Sequence, residues 1–510
     1  MNFSRTTRVL LALGSGVALG LSFPNYNLSL LVWFAIGMLV LAAAGARPFE
    51  APLYGFLHGL VFYPVCVPWV ATVVREYGGL DPWSAAGFVG LIGLIGGLIC
   101  SLVSLGVALA SRKSPALSCA AAPFLWVTAE YVRTRLVIFG SPWDLAGYAA
   151  SGNLAFLQVT ALTGIYGLSF LAAAYGSLVA YAIIARTKRA WTITLATTAA
   201  LILIGTVGAY LVPSATPHHI AHLVQTNFPQ SERYPPDWLQ VHAGELDQLE
   251  KISVDAARRA SGLIIWPEVP APFSLQESMF GDRAARIARE AGSPFLVGVV
   301  DWKRTPQGLW AASNSAVLLD PNGRRIFTYD KIHLVPFGEY VPLRRYLAFA
   351  GKLTADIADF TPGTSYRVAQ LPEGRFGVFI CYEAIFPAEV RQFTAAGAEL
   401  LITISNDGWF GRSSAPTQHL MMARVRAVEN RRWMLRDTNN GFTVAVDPYG
   451  RTVARLAPDI RGQLDAPYDL RVDLTLYARF GDWFAWVCIS VSIALIVSCL
   501  VTVRRPSRQP

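Results

Sequence analysis

Charge is scarce in this chain. Only 15% of its 510 residues are Asp, Glu, Lys or Arg, against 53% hydrophobic. So few charges exclude an ordinary soluble protein and point to several membrane spans. Cysteine is sparse too. Cys66, Cys100, Cys119, Cys488 and Cys499 fall in apolar, span-like stretches, and Cys381 alone lies in a polar region. Their spacing excludes a disulfide framework and a zinc site, and no metal or cofactor is called for. A single thiol in a polar domain stays free even in an oxidising compartment, because it has no partner. Helix-turn-helix, zinc-finger and RNA-binding signatures are lacking, which argues against nucleic acid. The formal net charge of +9 is therefore read first as a topology signal. Internal repeats and long low-complexity tracts are also missing.

What is present begins with a membrane block, residues 1–213. Apolar runs near Thr7–Phe23, Leu28–Ala44, Ala51–Val74, Ser84–Ala110, Pro115–Val132, Leu157–Ile184 and Trp191–Val212 each approach the ~20 residues a bilayer requires. The first resembles a signal peptide, with Arg5 and Arg8 ahead of it, but no small-residue cleavage site precedes Pro24. A second span follows at once, so the first is read as retained. Basic residues gather in the N-terminus and alternate loops: Arg5, Arg8, Arg47, Arg112, Lys113, Arg186, Lys188 and Arg189. The opposite loops hold Arg75, Arg133 and Arg135. Positive-inside then puts the N-terminus in the cytoplasm and residue 214 on the outer side. An eighth span, Trp483–Val503, ends in Arg504, Arg505 and Arg508, a cytoplasmic basic tail in residues 481–510.

Between these blocks, residues 214–480 change character, with more charge and shorter apolar runs. Strands are expected at His222–Gln225, Gly262–Glu268, Phe295–Asp301, Ser315–Asp320, Ile326–Lys331, Gly377–Ile380, Leu400–Asn406, Met434–Asn439 and Phe442–Asp447. Helices are expected at Trp238–Ala260, Met279–Ala291, Pro387–Ala396 and Thr417–Asn430. Alternating strands and helices indicate a layered α/β domain.

The chemistry is read from strand ends. Cys381 follows the apolar run Phe376–Ile380 and precedes a helix opened by Pro387. Such a junction exposes a side chain and aims backbone N–H groups at it, as in a nucleophile elbow. The alternative is a buried structural cysteine. Glu268 closes the run Gly262–Trp266 and Pro267. There it is either a general base of raised pKa or a surface-loop acid. Lys331 closes another run, as an oxyanion stabiliser or as a solvated lysine. Glu339 is placed to orient either of them. His333 is read as a packed histidine rather than a catalytic one. Trp409 and Phe410 stand in a Gly-punctuated loop after Thr403–Asn406, and suit either lipid contact or packing. His218, His219 and His222 are read as a juxtamembrane linker rather than a metal site. Glu130, His58 and Asp144 lie in or near spans, where ionisable groups are paired or functional.

Taken together, Trp266-Pro267-Glu268, the run from Asp330-Lys331 to Pro342, and Ile380-Cys381-Tyr382-Glu383 resemble the nitrilase superfamily of carbon–nitrogen hydrolases. With the flanking spans, and with Leu125–Glu130 followed by Gly140–Trp143, the whole chain resembles the apolipoprotein N-acyltransferase family. The resemblance implies a polytopic helical membrane domain of about eight spans joined to an αββα sandwich. It implies Cys381 as nucleophile, Glu268 as base and Lys331 as oxyanion stabiliser, with Glu339, Tyr382 and Glu383 at supporting positions. The family's aromatic after Asn227-Phe228-Pro229-Gln230 is Tyr234 or Trp238 here. The implied reaction takes an acyl chain from a phospholipid and gives it to a diacylglyceryl apolipoprotein. A monomer in the bacterial inner membrane suffices for it, with the catalytic domain in the periplasm and both termini cytoplasmic. A membrane-tethered amidase shares the three groups but has no need of eight spans. A transporter with an outer binding domain has no need of the three groups.

Overall fold

The computed structural model describes residues 3–136, 140–230, 234–305, 308–341 and 360–503. Pro342 and the tail arginines Arg504, Arg505 and Arg508 lie outside the described residues. The chain forms two compact units. One comprises Met1–Thr72, Asp81–Val212 and Arg479–Pro510, and the other comprises Val73–Leu80 and Pro213–Ala478.

The first unit is helical. Among the described residues, Pro82–Ser111, Ile165–Ala185, Lys188–Leu211 and Trp483–Val501 are long and apolar enough to cross a membrane. Ala51–Cys66 and Trp69–Glu76 make a fifth only as a pair bent by 61°. The straight span expected over Ala51–Val74 is therefore broken. Pro68 has no N–H to give, and Val67 before it sits at φ −124°, outside the helical region. Likewise two short turns, Leu154–Leu157 and Thr160–Thr163, precede Ile165–Ala185, where one long span was expected. Gly164, at φ +66°, turns the chain between them.

Polar groups inside this unit are tied to one another. The Arg8 guanidinium, counted above as a topology charge, is buried and donates to the carbonyls of Ala42 and Ala44 at 2.6 and 2.8 Å. It caps the end of helix Val32–Ala43. Arg133 is ion-paired with Asp144. Glu130 Oε1 accepts from Trp126 Nε1 and the Ala146 N–H, both at 2.8 Å. His58 Nδ1 shares a 2.8 Å hydrogen bond with Ser15 Oγ. The Ser15–His58 and Glu130–Ala146 contacts brace one helix against another.

Among the described residues the second unit contains twelve strands: β1 His219–Gln225, β2 Leu263–Ile265, β3 Phe295–Arg304, β4 Trp310–Leu319, β5 Arg325–Asp330, β6 Val368–Leu371, β7 Gly374–Ile380, β8 Leu400–Ser405, β9 Met434–Thr438, β10 Thr443–Val446, β11 Thr452–Leu456 and β12 Gly462–Tyr468. They form two six-stranded sheets, ordered β12-β1-β2-β3-β4-β5 and β11-β10-β9-β8-β7-β6. In each sheet the middle is parallel: β1 with β2 and β3, and β7 with β8 and β9. Such strands are covered on both faces, so they read as unbroken apolar runs.

Alternation shows how the layers stack. Phe376, Val378 and Ile380 of β7 face the other sheet, with Phe376 edge-on to Tyr468 of β12. Between them, Phe379 meets Phe393 of helix α3 (Pro387–Ala395), 5.7 Å between ring centres. In the first sheet Leu263 and Ile265 point into the core between sheets. Ile264 points outward, into the cluster covered by α1 (Ala243–Arg259) and α2 (Ser278–Ala291). The layers run helix, sheet, sheet, helix, which is the sandwich expected from the sequence.

Three strands escaped the sequence reading: β6, β11 and β12. The helix expected over Trp238–Ala260 is also interrupted at His242, whose ring stacks on Trp238 at 4.2 Å. The histidine run is not a linker: His219 and His222 lie within β1, which pairs with β12. His222 hydrogen-bonds the Ala260 carbonyl and Asp465, so its ring is committed to the strand's edge.

Phe393 joins α3 to β7 at full burial, so Phe393→Ala should cost about 3–5 kcal/mol. A fall in the thermal midpoint of roughly 6–20 °C is expected. A midpoint that stays within about 2 °C would contradict this packing.

Candidate active site

Three loops and two strand ends from the sandwich meet at one buried point. Lys331 follows β5 directly, and its backbone N–H still bonds the Asn314 carbonyl of β4 at 2.9 Å. Its Nζ lies 3.1 Å from Glu268 Oε1 and 3.0 Å from Glu339 Oε1. All three side chains are buried. Burial opposes the ammonium, but the charges of Glu268 and Glu339 outweigh it and hold Lys331 protonated far above the usual lysine range.

Glu268 stands beyond the end of β2, rather than at it. Pro267 cannot donate to a ladder, so the strand stops at Ile265 and the chain leans onto β3. Gly298 permits this, because a Cβ there would sit 2.4 Å from the Pro267 carbonyl oxygen and 2.7 Å from Glu268 Cα. Val269, next in line, is held at φ +22°, a rare conformation for a β-branched residue. Glu268 Oε1 also accepts from Asn314 Nδ2 at 2.8 Å, and Oε2 accepts from the Asn406 N–H at 2.8 Å. Asn314 bridges to Glu339 Oε1 at 2.7 Å, and Glu339 Oε2 takes the Val335 N–H at 2.8 Å.

Cys381 follows β7 and opens a single turn, Cys381–Ile385, before α3. Its φ is +51°, so the backbone doubles back at the sulfur-bearing residue. Burial pushes the thiol well above its ordinary range. The Glu268 and Asp407 charges add to this, while Lys331 and a hydrogen bond with Ser405 oppose it. The group is therefore a thiol at neutral pH, in the field of both the acid and the amine.

Glu383 is fully occupied by protein donors. It accepts from Tyr329 Oη at 2.7 Å, Ile332 N at 2.8 Å, His333 N at 3.2 Å and Ile380 N at 2.7 Å. Burial pushes its carboxyl up to about 7, against the pull of these donors and of Lys331. It braces the Lys331 segment against the Cys381 turn. The Tyr382 ring lies against His333 and Phe386. His333 is stacked on Phe386 at 3.7 Å and bonds Glu389 Oε1 at 2.7 Å, so it is a packed histidine.

Trp409 and Phe410 separate. Trp409 is 37% exposed, edge-on to Tyr77 at 4.9 Å, and the Tyr77 hydroxyl donates to the Gly408 carbonyl at 3.1 Å. Phe410 turns inward, edge-on to His419 at 6.0 Å. The tight turn Asp407–Phe410 sends successive side chains in different directions, so the two aromatics are not presented together. Of the two candidates after Gln230, Trp238 is a core residue, while Tyr234 Oη reaches the Pro270 carbonyl at 3.4 Å. Among the described residues no group of His, Cys, Asp or Glu is arranged to hold a metal ion.

Asn314 and Asn406 were not singled out in the sequence, yet each bonds Glu268. A signal existed for Asn314: it is the amide in a polar patch, Ser313–Ser315, set within the apolar residues of Trp310–Leu319.

A carbon–nitrogen hydrolase family model matches residues 230–472, which places the second unit among proteins of the nitrilase type. A solved amidase from Nesterenkonia sp. is 22% identical with a TM-score of 0.37, over 52% of this chain and 94% of its own. The model of the apolipoprotein N-acyltransferase N-terminal domain matches residues 15–178. An apolipoprotein N-acyltransferase of Geobacter metallireducens is 35% identical over 97% of this chain and 95% of its own length. One from Methylococcus capsulatus is 33% identical over 98% and 96%. The chain belongs to the apolipoprotein N-acyltransferase family.

Two outcomes follow from this geometry. Gly298→Ala forces Glu268 off β3, and acyl transfer should fall about ten-fold or more while the protein still folds. Unchanged turnover would detach Glu268 from the reaction. Because the thiol is held above its ordinary value, its alkylation by iodoacetamide should still be climbing at about pH 9–10. A plateau below about pH 8 would show a thiolate already formed.

Proposed function

We propose that this chain moves a fatty acyl chain from a phospholipid, through a Cys381 thioester, to the N-terminal amine of a diacylglyceryl-cysteine on an apolipoprotein. One observation supports it above the rest: a buried ammonium, Lys331, fixed between the carboxylates of Glu268 and Glu339.

The step begins with Cys381 as a thiol. Glu268 Oε2 carries one backbone donor, which leaves a lone pair to take the thiol proton. The sulfur attacks the ester carbonyl of the phospholipid, and the carbonyl electrons move onto oxygen. Lys331 stabilises that oxyanion, an interaction of about 3–4 kcal/mol for a well-placed donor. The intermediate collapses, the ester C–O bond breaks, and Glu268 returns the proton to the departing lysophospholipid. A thioester remains. The α-amine of the lipoprotein then attacks it, Glu268 accepts the amine proton, and the C–S bond breaks to give an amide. Cys381 leaves as thiolate and recovers its proton from Glu268. Glu339 and Asn314 keep Lys331 and Glu268 in register throughout. Tyr382, Glu383, Trp409 and Phe410 support the site by packing and bracing.

Both substrates are lipids, which accounts for a catalytic unit carried on apolar helices. The basic residues of alternate loops support a catalytic unit on the periplasmic side of the bacterial inner membrane, with both termini in the cytoplasm. No step needs a cofactor, a nucleic acid or a second subunit.

The test is mass analysis of the Cys381 peptide after incubation with phospholipid. One added acyl chain is expected, and it should be discharged by a diacylglyceryl peptide. Cys381→Ser should abolish turnover, since an alcohol beside this carboxylate is a poor nucleophile. Hydrolysis of small amides with no acyl adduct would replace this reading with an amidase.

A further inference from the structure

His419 lies on helix α4 (Ala415–Asn430) and is completely buried. Its Nε2 is 3.0 Å from the backbone carbonyl oxygen of Cys381, close enough to donate a hydrogen bond. Its Nδ1 is 3.2 Å from Asp407 Oδ1 and 3.2 Å from Arg436 Nη2. Arg436, in the middle of β9, binds both oxygens of Asp407 through Nη2, at 2.9 and 2.7 Å. Ser405 Oγ donates to the same carboxylate at 2.9 Å. Burial works against the Asp407 charge, but Arg436 and His419 hold its carboxyl below the usual range. The same Arg436 charge, with burial, keeps His419 neutral. The ring is thus held at both edges, by the Cys381 carbonyl at Nε2 and by Asp407 and Arg436 at Nδ1.

That chain of contacts ends on the backbone carbonyl of Cys381, the proposed nucleophile. Cys381 is at φ +51°, a conformation that costs about 1–3 kcal/mol and persists only where the surroundings impose it. The C=O and N–H of one peptide plane point in opposite directions. Holding the Cys381 carbonyl therefore also sets where the Tyr382 N–H points and how Cys381 presents its sulfur.

We propose that His419 is a positioning residue for Cys381: anchored by the Arg436–Asp407 pair, it pins the Cys381 carbonyl and so aims the sulfur at Glu268 and Lys331. The inference rests on Cys381 as the nucleophile proposed above.

The test compares His419→Gln with His419→Asn. The glutamine amide reaches the place of Nε2 and still bonds the Cys381 carbonyl, while the asparagine amide stops at the place of Nδ1. Single-turnover acylation of Cys381 is measured with phosphatidylethanolamine in detergent micelles. H419Q should stay within about three-fold of the unaltered protein, and H419N should lose about ten-fold or more in kcat with KM unchanged. Equal rates in the two variants, or a loss carried by KM, would overturn the proposal. If H419N does not fold, His419→Ala is assayed with free imidazole, and failure of imidazole to restore the rate overturns it equally. If the unaltered protein takes no acyl group, the proposed function fails. Iodoacetamide labelling of Cys381 still reads His419 in that event, with H419N slower than H419Q as the required result and equal labelling as the refutation.

Discussion

The buried ammonium of Lys331 sets the terms for everything around it. Moving such a charge out of water costs several kcal/mol, and only close opposite charges with good geometry repay it. Here two carboxylates approach within 3.1 Å, and Asn314 donates to both. The remaining oxygens of those carboxylates are tied to backbone N–H groups of Asn406 and Val335. Removing Lys331 would leave two buried carboxylates facing each other, and removing Asn314 would take from both the donor they share. Because Glu268 hangs from the first sheet and Asn406 follows β8 of the second, the same contacts fasten the two sheets at the proposed reaction site.

The proposed nucleophile is arranged differently. Cys381 carries no stable charge at rest, since burial and neighbouring acids suppress the thiolate. Its reactivity comes from orientation and from a base able to take the proton only when a carbonyl is in reach. This suits a thioester chemistry that must wait for lipid. Orientation is imposed from two directions, by Glu383 gripping the Ile380 N–H before the turn and by His419 gripping the Cys381 carbonyl within it.

What could be read from the sequence follows from what covers each strand. β7 and β8 are buried on both faces and appear as apolar runs. The overlooked strands β6, β11 and β12 are edges. β11 is largely exposed, and β12 contains Asp465 and Pro467, which an edge tolerates and a central strand does not. The acid, the lysine and the thiol were visible because strand ends place side chains at the rim of a sandwich. Asn314, Asp407, His419 and Arg436 were harder to see, because their roles depend on partners far away in sequence. Arg436 and Asp437 inside the buried strand β9 are the sort of polar intrusion that marks such a network. The bend at Pro68 could have been expected from proline chemistry alone, whereas a hydropathy run passes over it.

That bend has a consequence for anyone wishing to divide the protein. Val73–Leu80 belongs with Pro213–Ala478 although it is encoded far upstream, and Tyr77 holds the Gly408 carbonyl beside Trp409. A fragment cut at the start of the polar region would leave behind the tyrosine that steadies the loop carrying Asn406, the donor to Glu268. The gene cannot be parted at a single junction; an excised enzyme would have to bring its own eight-residue clasp, grafted from the front of the chain.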